Sequence, residues 1–498
     1  MELIRFRKLF EKNIVLLFSV TGLVLVFIYI CNYKPLQMDE LSTFFHCSDK
    51  SFHELSISNS MGVNMMPPFY FTIIWVIGKV TSLNEVTMRL PSLLFGILSL
   101  IVMQNSMRKL FPQECINLCI FALISHCPIL IFSICEARPY TLYLLLTVLF
   151  THFLLFYKYT KFHFLAVTSL AFLIPSTFYI GGMYTLFILP FFILDRIKRH
   201  LDFKHCLYAC LLGWLIFCIL VLPTFYDHLT NTYTKHFSAG YMVRLSDLFT
   251  LYGTQFYLPI SLLMLVLFQS EIFVKSDNKP TSHLTDPPFK NSILFVPFLL
   301  TPLVFFILSK LFHFYLFENR YFIPNIILYL FITCFFVFKS GTITKSKVLL
   351  GFNYFFCICV LFLIARSFAK SYDIESPENS ILIAVKSQRN IVTFSRRIAY
   401  HINHYHEVDC YQIVADEKYA SHIKNFSNKL NPVALSQFPI LLDKLLSKHE
   451  SILFLDGSMV SVGDKNIHTL IDPQKYKVQE YKLPQSSQVN SALLISRS

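Results

Sequence analysis

The 498-residue sequence is poor in charged residues and in glycine. Charged residues make up only 15% of it, hydrophobic residues make up 54%, and glycine occurs 13 times. Because a soluble globular chain carries about 25% charged residues, this composition excludes a soluble protein. The 53 Phe and 26 Tyr also exclude collagen-like and disordered chains. The composition predicts a mainly α fold class, that of a polytopic helical membrane protein.

The sequence also lacks the cysteine spacings of redox and zinc sites. None of its 13 cysteines forms a CxxC pair, and no histidine lies at zinc spacing from one. We interpret the cysteines inside apolar runs as small core residues. These are Cys115, Cys119, Cys127, Cys206, Cys210, Cys218 and Cys334.

Acidic residues are outnumbered by basic ones. The chain holds 30 Asp and Glu against 43 Lys and Arg, a net charge of +13. In a soluble protein this balance would indicate a nucleic-acid partner. In a membrane protein it indicates loops retained on the cytoplasmic side, and we expect no nucleic-acid partner.

Apolar runs follow one another from the N-terminus, and about 20 apolar residues are needed to cross a bilayer. The run 12–31 follows Arg5, Arg7 and Lys8, which predicts a cytoplasmic N-terminus. A secretory signal peptide is the alternative, but no small-residue cleavage site follows this run. The run Pro67 to Val80, only about 14 residues, predicts an interfacial helix.

The remaining apolar runs bring the predicted number of membrane crossings to about 11. They are 90–107, 114–134, 139–157, 163–175, 177–195, 205–224, 251–270, 291–309, 321–338 and 348–366. The Pro and two Gly between Pro175 and Gly182 predict a break between two short or kinked spans.

With this number of crossings, most basic residues fall in loops predicted to lie on the cytoplasmic side, as the positive-inside rule requires. Besides the N-terminal cluster, the predicted inside loops contain Arg108, Lys109, Lys158, Lys161, Arg196, Lys198, Arg199, Lys204, Lys275, Lys279, Lys290, Lys339, Lys345 and Lys347. The predicted outside loops contain about half as many.

The chain divides at Arg366. Residues 1–366 are predicted to form the transmembrane domain, with an outer loop at 32–89. Residues 367–498 are polar, and the short apolar runs 381–385, 411–414 and 452–457 predict strands of a small α/β domain. An odd number of crossings from a cytoplasmic N-terminus makes this domain extracytoplasmic.

Polar residues collect in the predicted outer loops, whereas among acidic, basic and histidine residues only His126 and His152 lie deep in predicted spans. We interpret both as hydrogen-bonded core residues. The first outer candidates are Asp39 and Glu40, just after the first span. A carboxylate at the membrane interface can take a proton from an acceptor hydroxyl. In an extended segment only one of the two would face a given site, and the alternative is that both are solvated loop acids.

Further candidates begin or end predicted spans. Met66-Pro67-Pro68-Phe69-Tyr70 opens the interfacial helix, Arg89-Leu90-Pro91-Ser92 starts a span, and Glu136, Arg138 and Tyr140 lie in an outer turn. Arg320 and Tyr321 start a late span. An arginine at the membrane surface can clamp a phosphate through its planar fork. The alternatives are snorkelling or an internal pair of Arg138 with Glu136.

Together these motifs resemble those of the GT-C membrane glycosyltransferases, in the branch of protein O-mannosyltransferases and aminoarabinose transferases. The motifs are an Asp-Glu pair after the first span, a Pro-Pro-aromatic-Tyr helix, Arg-Leu-Pro-Ser, Ala-Arg-Pro-Tyr and a late Arg-Tyr. They occur in order and cover residues 1 to about 340.

The resemblance implies an inverting transferase of a single hexose or pentose. The donor would be a polyprenyl-phosphate-linked sugar, and the acceptor a glycan, lipid or protein on the outer side of a bacterial inner membrane. Asp39 would be the general base and Glu40 its support. Glu136, Arg138, Tyr140, Arg320, Tyr321 and also Arg89 would bind the donor and its phosphate. No metal or other cofactor is expected, because phosphate neutralisation by arginine replaces the metal.

This chain departs from the family pattern at two positions. Many relatives carry His before the Pro-Pro pair, where this chain has Met66, so that residue's contact does not carry over. Tyr179 stands in Thr177-Phe178-Tyr179, where relatives often have a His-Tyr pair, and its ring would cover the sugar or line the interface. The C-terminal domain either selects the acceptor or only packs on the outer loops.

Two functions from other classes remain as alternatives. A lipid or polysaccharide exporter would have as many spans, but it would also place charged residues inside them and show internal repeats. A non-enzymatic envelope scaffold would tolerate alanine at the outer acids and arginines.

Overall fold

A computed structural model of the chain describes most of its apolar half and much of the C-terminal domain. The described ranges are 20–32, 36–48, 51–60, 66–112, 127–198, 201–224, 294–312, 319–339, 390–393, 396–405, 408–414, 430–449, 451–457, 471–480 and 489–497, with isolated positions between them. The chain folds into two compact units, Met1–Tyr33 with Met66–Ala365 and Lys34–Met65 with Arg366–Ser498. Residues 34–65, part of the predicted outer loop, thus group with the C-terminal domain.

Helices make up most of the described chain. They are α1 (Val20–Asn32), α2 (Met38–Cys47), α3 (Phe52–Ser60), α4 (Pro68–Val80), α5 (Glu85–Met107), α6 (Pro128–Cys135), α7 (Tyr140–Leu155), α8 (Lys161–Thr177), α9 (Tyr179–Lys198), α10 (Lys204–Leu220), α11 (Val296–Phe312), α12 (Ile326–Lys339), α13 (Arg396–Tyr405) and α14 (Phe438–Leu446). A 3-10 helix, Asn319–Asn325, leads into α12.

The first unit contains helices that are long and apolar enough to cross a membrane. Within the described residues, α5 and α9 are long and apolar enough to cross a membrane, and α6 with α7, bent by 116°, would make a third crossing if they form one span. Helices α1, α4, α8, α10 and α11 are shorter apolar helices of 10–17 residues. The described residues therefore do not reach the predicted number of crossings. The spans predicted at 348–366 and, except for its first residue, at 251–270 lie outside them.

Several local predictions are confirmed in this unit. The Pro67 to Val80 run forms the single helix α4, which has proline at its first turn, where its missing N–H is not needed. The predicted break within 163–195 falls at Phe178, because α8 ends at Thr177 and α9 begins at Tyr179.

The buried polar residues of the first unit largely agree with the sequence analysis. His152 is hydrogen-bonded as predicted, since its Nδ1 lies 2.7 Å from Ser106 Oγ, but its side chain is only half-buried and is not a core residue. His126 and Cys115 lie outside the described residues. The prediction for Cys218 is wrong, because this side chain is exposed on α10. The other cysteines interpreted as core residues are buried.

Close helix packing in the first unit depends on glycine. A Cβ added at Gly213 of α10 would lie 2.4 Å from the carbonyl oxygen of Thr168 and 2.7 Å from Cβ of Ala171, both on α8. Such small-residue contacts let helix backbones approach where lipid provides no hydrophobic driving force. Trp214 strengthens this region by donating from Nε1 to Thr185 Oγ1 on α9 at 3.2 Å.

The second unit contains a six-stranded mixed sheet. Its strands are β1 (Asn390–Thr393), β2 (Asp409–Val414), β3 (Asn431–Ala434), β4 (Ser451–Gly457), β5 (Tyr476–Glu480) and β6 (Val489–Arg497), in the order β3-β2-β1-β4-β6-β5. The first four are parallel, and β6 and β5 extend the sheet antiparallel. The α/β class and the strands predicted at 411–414 and 452–457 are confirmed, and 381–385 lies outside the described residues.

Both faces of this sheet are covered by helices. Successive side chains of a strand point to opposite faces, so the parallel strands bury apolar residues on both sides. The face covered by α13 includes Ile391, Cys410, Leu453, Ile398 and Ile402. The face covered by α14 includes Val392, Ile413, Phe454, Phe438 and Leu442.

A polar contact joins α14 to β5 at the surface. Asp443 accepts hydrogen bonds from Lys475 Nζ at 2.5 Å and from Tyr476 OH at 2.6 Å. The hydrogen bond from Lys475, with that from Tyr476, holds the pKa of Asp443 below its ordinary value. Because the carboxylate is exposed, this contact orients the helix more than it stabilises the domain.

The substitution Gly213→Ala tests the close approach of α8 and α10. We expect a loss of about 1–3 kcal/mol in unfolding free energy, because a backbone carbonyl cannot yield as a side chain can. The measurement is thermal unfolding of the purified protein in detergent. Gly78→Ala is the control, because its Cβ would meet only the end of the Leu83 side chain at 3.0 Å. Equal melting temperatures for the two variants would contradict this packing.

Candidate active site

The first candidate residues, Asp39 and Glu40, lie in a helix. Both belong to the first turn of α2. The sequence analysis considered them in an extended segment, and that expectation is wrong. Acidic residues stabilise the first turn of a helix because they interact with its exposed N–H groups and with the helix dipole. This preference explains why the chain becomes helical here.

The two carboxylates differ in environment. Glu40 is only 1% exposed, and its Oε2 accepts a hydrogen bond from the backbone N–H of Gln37 at 2.9 Å. This is the N3 position of a helix cap, a structural role. Asp39 is half-buried, and its carbonyl oxygen accepts a bond from Thr43 Oγ1 at 3.1 Å. Of the pair, Asp39 is therefore the better placed to meet a substrate.

Helix α2 packs on α13 within the second unit. The ring of Phe44 lies 4.2 Å from that of His404, and the ring of Phe45 lies 5.1 Å from that of Tyr400. Just before α2, the backbone N–H of Leu36 donates to the hydroxyl of Tyr405 at 2.5 Å. The C-terminal domain thus supports the helix that carries Asp39, so packing on the predicted outer loop is observed.

In the first unit, an arginine and three aromatic rings form one cluster. The guanidinium carbon of Arg320 lies 5.4 Å from the ring centre of Tyr140, a cation–π distance. The ring of Phe178 lies 5.9 Å from Tyr140 and 5.1 Å from Tyr321. We call these four residues the arginine–aromatic cluster. It joins the start of α7, the break between α8 and α9, and the 3-10 helix.

Buried polar residues lie behind this cluster. The ring of Tyr143, one turn along α7, lies 5.3 Å from that of Phe178 and 6.2 Å from that of Tyr184. The hydroxyl of Tyr184 donates to Asn325 Oδ1 at 2.6 Å, and both side chains are fully buried. This bond ties α9 to the 3-10 helix that carries Arg320.

Two more candidate arginines, one in the Arg-Leu-Pro-Ser segment and one in the Ala-Arg-Pro-Tyr turn, are buried. Arg89 on α5 is 1% exposed, and Arg138 in the turn before α7 is 5% exposed. Ser92 Oγ contacts both the hydroxyl of Tyr70 at 3.1 Å and the carbonyl oxygen of Arg138 at 3.3 Å. The Pro-Pro helix, the Arg-Leu-Pro-Ser segment and the Ala-Arg-Pro-Tyr turn are therefore joined. Such burial argues against snorkelling of either arginine into water.

The structure adds residues that the sequence analysis missed. Phe178, Tyr143, Tyr184 and Asn325 were not selected, because aromatic residues in an apolar run look like ordinary core. A usable signal was Asn325, a lone amide at the start of an apolar helix. The predicted Tyr179 begins α9 and is half-buried, and Glu136 lies in the turn before α7, where its carbonyl oxygen accepts from the N–H of Arg138.

No group of three or more His, Cys, Asp or Glu side chains that could hold a metal ion occurs within the described residues. The arginine–aromatic cluster itself presents a guanidinium and phenol hydroxyls. These groups bind and neutralise an oxyanion.

Comparison with known proteins supports the fold. No protein-family model and no curated protein matches the sequence. The structure is similar to the crystal structure of ArnT from Cupriavidus metallidurans bound to undecaprenyl phosphate, with a TM-score of 0.55 and 11% identity over 97% of this chain and 98% of that chain. ArnT from the same organism in the apo state has a TM-score of 0.47 at 11% identity, over 96% and 97% of the two chains. At this level of sequence identity the similarity shows the fold alone, and the chain has the fold of ArnT.

Proposed function

We propose that this protein is an inverting glycosyltransferase that uses a polyprenyl-phosphate-linked sugar on the outer side of a bacterial inner membrane. The observation that carries the proposal is the arginine–aromatic cluster in a chain with the ArnT fold. ArnT itself was crystallised with undecaprenyl phosphate, which is a lipid carrier of the proposed class.

The proposed role of Arg320 follows from the chemistry of the leaving group. When a sugar leaves a lipid phosphate, negative charge grows on the phosphate oxygens. Preorganised donors at that position stabilise the transition state more than the ground state. The ring of Tyr140 limits the motion of the Arg320 guanidinium, which can donate two parallel hydrogen bonds. Arg138 and Tyr321 are proposed as further phosphate contacts, with Arg89 and Glu136 as support.

The proposed general base is Asp39. In a single displacement the acceptor oxygen bonds to the anomeric carbon while the bond from that carbon to the phosphate oxygen breaks. The acceptor proton passes to the Asp39 carboxylate, and the configuration at the anomeric carbon inverts. Glu40 is proposed to hold α2 in place, since its carboxylate caps the helix. No metal is needed in this scheme.

The packing of α2 on α13 gives the C-terminal domain a proposed role. By holding the helix of Asp39, this domain would orient the base toward the acceptor, and its own surface would select the acceptor. The acceptor is proposed to be a glycan, lipid or protein, and Tyr179 to line the donor sugar. Labelled polyprenyl-phosphate sugars incubated with membranes would identify both the sugar and the acceptor.

The substitution Asp39→Asn tests the base. We expect sugar transfer to fall at least about a hundredfold, because a general base typically contributes that much or more. The measurement is transfer of labelled sugar by purified protein, with melting temperature as the check on folding.

The matched control for this variant is Glu40→Gln. An amide oxygen can still accept the N–H of Gln37, so we expect this variant to keep most of the activity. Full activity in Asp39→Asn, or an equal loss in both variants, would exclude Asp39 as the base.

The substitution Arg320→Lys tests the phosphate contact. The charge is kept, but the paired hydrogen bonds and the stacking on Tyr140 are lost. We expect KM for the lipid-linked donor to rise about tenfold while KM for the acceptor changes little. Steady-state kinetics with each substrate varied in turn measures both constants.

The control for Arg320→Lys is Lys310→Gln, which removes an exposed cation from the last turn of α11. It should leave both constants unchanged. A proportional rise of the two constants in Arg320→Lys would show that Arg320 supports the fold and does not bind the phosphate.

A further inference from the structure

The helices of the first unit have a second polar end, remote from the arginine–aromatic cluster. Helix α7 starts in that cluster at Tyr140 and contains 16 residues, ending at Leu155, a length of roughly 24 Å at 1.5 Å per residue. Beyond Leu155 a turn leads into α8, and beyond Lys198 a second connection leads from α9 to α10. A site at these turns is therefore separate from the proposed active site.

The two connections are joined to each other. The hydroxyl of Tyr159, in the first turn, donates to the carbonyl oxygen of Asp202 in the second connection. The hydroxyl of Tyr157 is hydrogen-bonded to Nδ1 of His205 at the start of α10. The connections thus form one surface at the ends of α7 to α10.

Arg196 lies at the centre of this surface. It belongs to the last turn of α9 and is only 8% exposed. Its guanidinium carbon lies 4.9 Å from the ring centre of Phe192 and 5.8 Å from that of Tyr157. Its Nε is buried with no hydrogen-bond partner, and no carboxylate pairs with it within the described residues. Because burying a cation without an anion is costly, this position requires a negative group from elsewhere.

The surroundings of Arg196 are basic at the surface and apolar below it. Exposed cations lie on the same connections and at the adjoining helix ends, namely Lys158, Lys161, Lys198 and Lys204. Among the described residues of α9 and the connection that follows it, the acidic residues are Asp195, which is buried, and Asp202, whose Oδ1 accepts from the backbone N–H of Lys204 at 2.9 Å. Large apolar side chains are exposed along the adjoining turns of α8 to α10, namely Phe162, Leu165, Ile197, Leu201, Tyr208 and Leu211.

We propose that this surface is a binding site for an anionic phospholipid, whose phosphate is bound by Arg196 and whose acyl chains lie along the exposed apolar side chains of α8 and α10. We call it the basic end. The lysines attract the negatively charged headgroup, and the guanidinium supplies the directional contact. Lipid is the occupant because the same surface presents both the cations and the adjoining apolar area.

The positive-inside rule alone does not explain why Arg196 is buried at the basic end. Retention of a loop in the cytoplasm requires lysines or arginines near the membrane, and exposed side chains satisfy that requirement. It does not require an arginine that is buried against two aromatic rings without a carboxylate. The buried Arg196 therefore indicates a ligand, whereas the exposed lysines alone would not.

The test uses the purified full-length protein, native mass spectrometry and two lipids of equal chain length. We expect the wild-type protein to retain phosphatidylglycerol over phosphatidylcholine. Arg196→Gln should lower phosphatidylglycerol retention about tenfold and leave phosphatidylcholine retention unchanged. The control is Lys79→Gln on α4, an exposed cation 5.5 Å from the ring centre of Trp75, which should keep the wild-type preference. Millimolar inorganic phosphate should not displace the lipid.

A second variant covers the case in which Arg196→Gln lowers the melting temperature. The triple variant Lys158→Gln, Lys198→Gln and Lys204→Gln changes only exposed side chains and should also reduce the preference for phosphatidylglycerol. Equal retention of both lipids by the wild-type protein would overturn the proposal. So would an unchanged preference in the folded variants, or displacement of the lipid by phosphate alone. None of these outcomes bears on sugar transfer.

Discussion

The structure of the first unit depends on one constraint: a chain with few charges must satisfy its backbone polar groups internally. In an apolar environment only helices do this within one segment, and charged side chains are then favoured at helix ends. The described helices follow this pattern. One set of ends carries Arg320 with Tyr140, and the opposite ends carry Arg196 with Tyr157. Both functional proposals therefore concern helix ends, and between those ends α10 packs closely on α8 at Gly213.

In this chain aromatic rings, rather than carboxylates, contact several of the cationic side chains and orient them. The chain has 53 Phe and 26 Tyr but only 30 Asp and Glu. Besides Arg320 and Arg196, Lys109 lies 4.1 Å from the ring centre of Phe156. A ring orients a cation without neutralising it, so the cation keeps its charge for an incoming anion. A cation that keeps its charge can stabilise a departing lipid phosphate at the proposed active site, and it can bind a phospholipid headgroup at the basic end.

The second unit shows how a distant part of the chain supports a candidate catalytic residue. Helix α2, near the N-terminus, packs on α13, which lies more than three hundred residues later. The buried Glu40 caps α2, and the rings of Phe44 and Phe45 pack on His404 and Tyr400. An acid placed on such a helix has a defined orientation, which a solvated loop acid would not have. The sheet beneath α13 is buried on both faces and provides the rigid base.

Sequence by itself determined the class of each segment, because hydropathy, run length and proline positions act locally. It predicted α4 as a separate short helix, a break between Pro175 and Gly182, the α/β domain, and the polar motifs around Arg138 and Arg320. It could not determine which of these motifs meet, because contacts between residues far apart depend on how helices pack. Only the tertiary structure assigned Glu40 to a helix cap, grouped α2 with the C-terminal domain, placed Phe178 beside Tyr321, and buried Arg196 between two rings. Each of these depends on the neighbours that packing supplies, and a local pattern does not encode them.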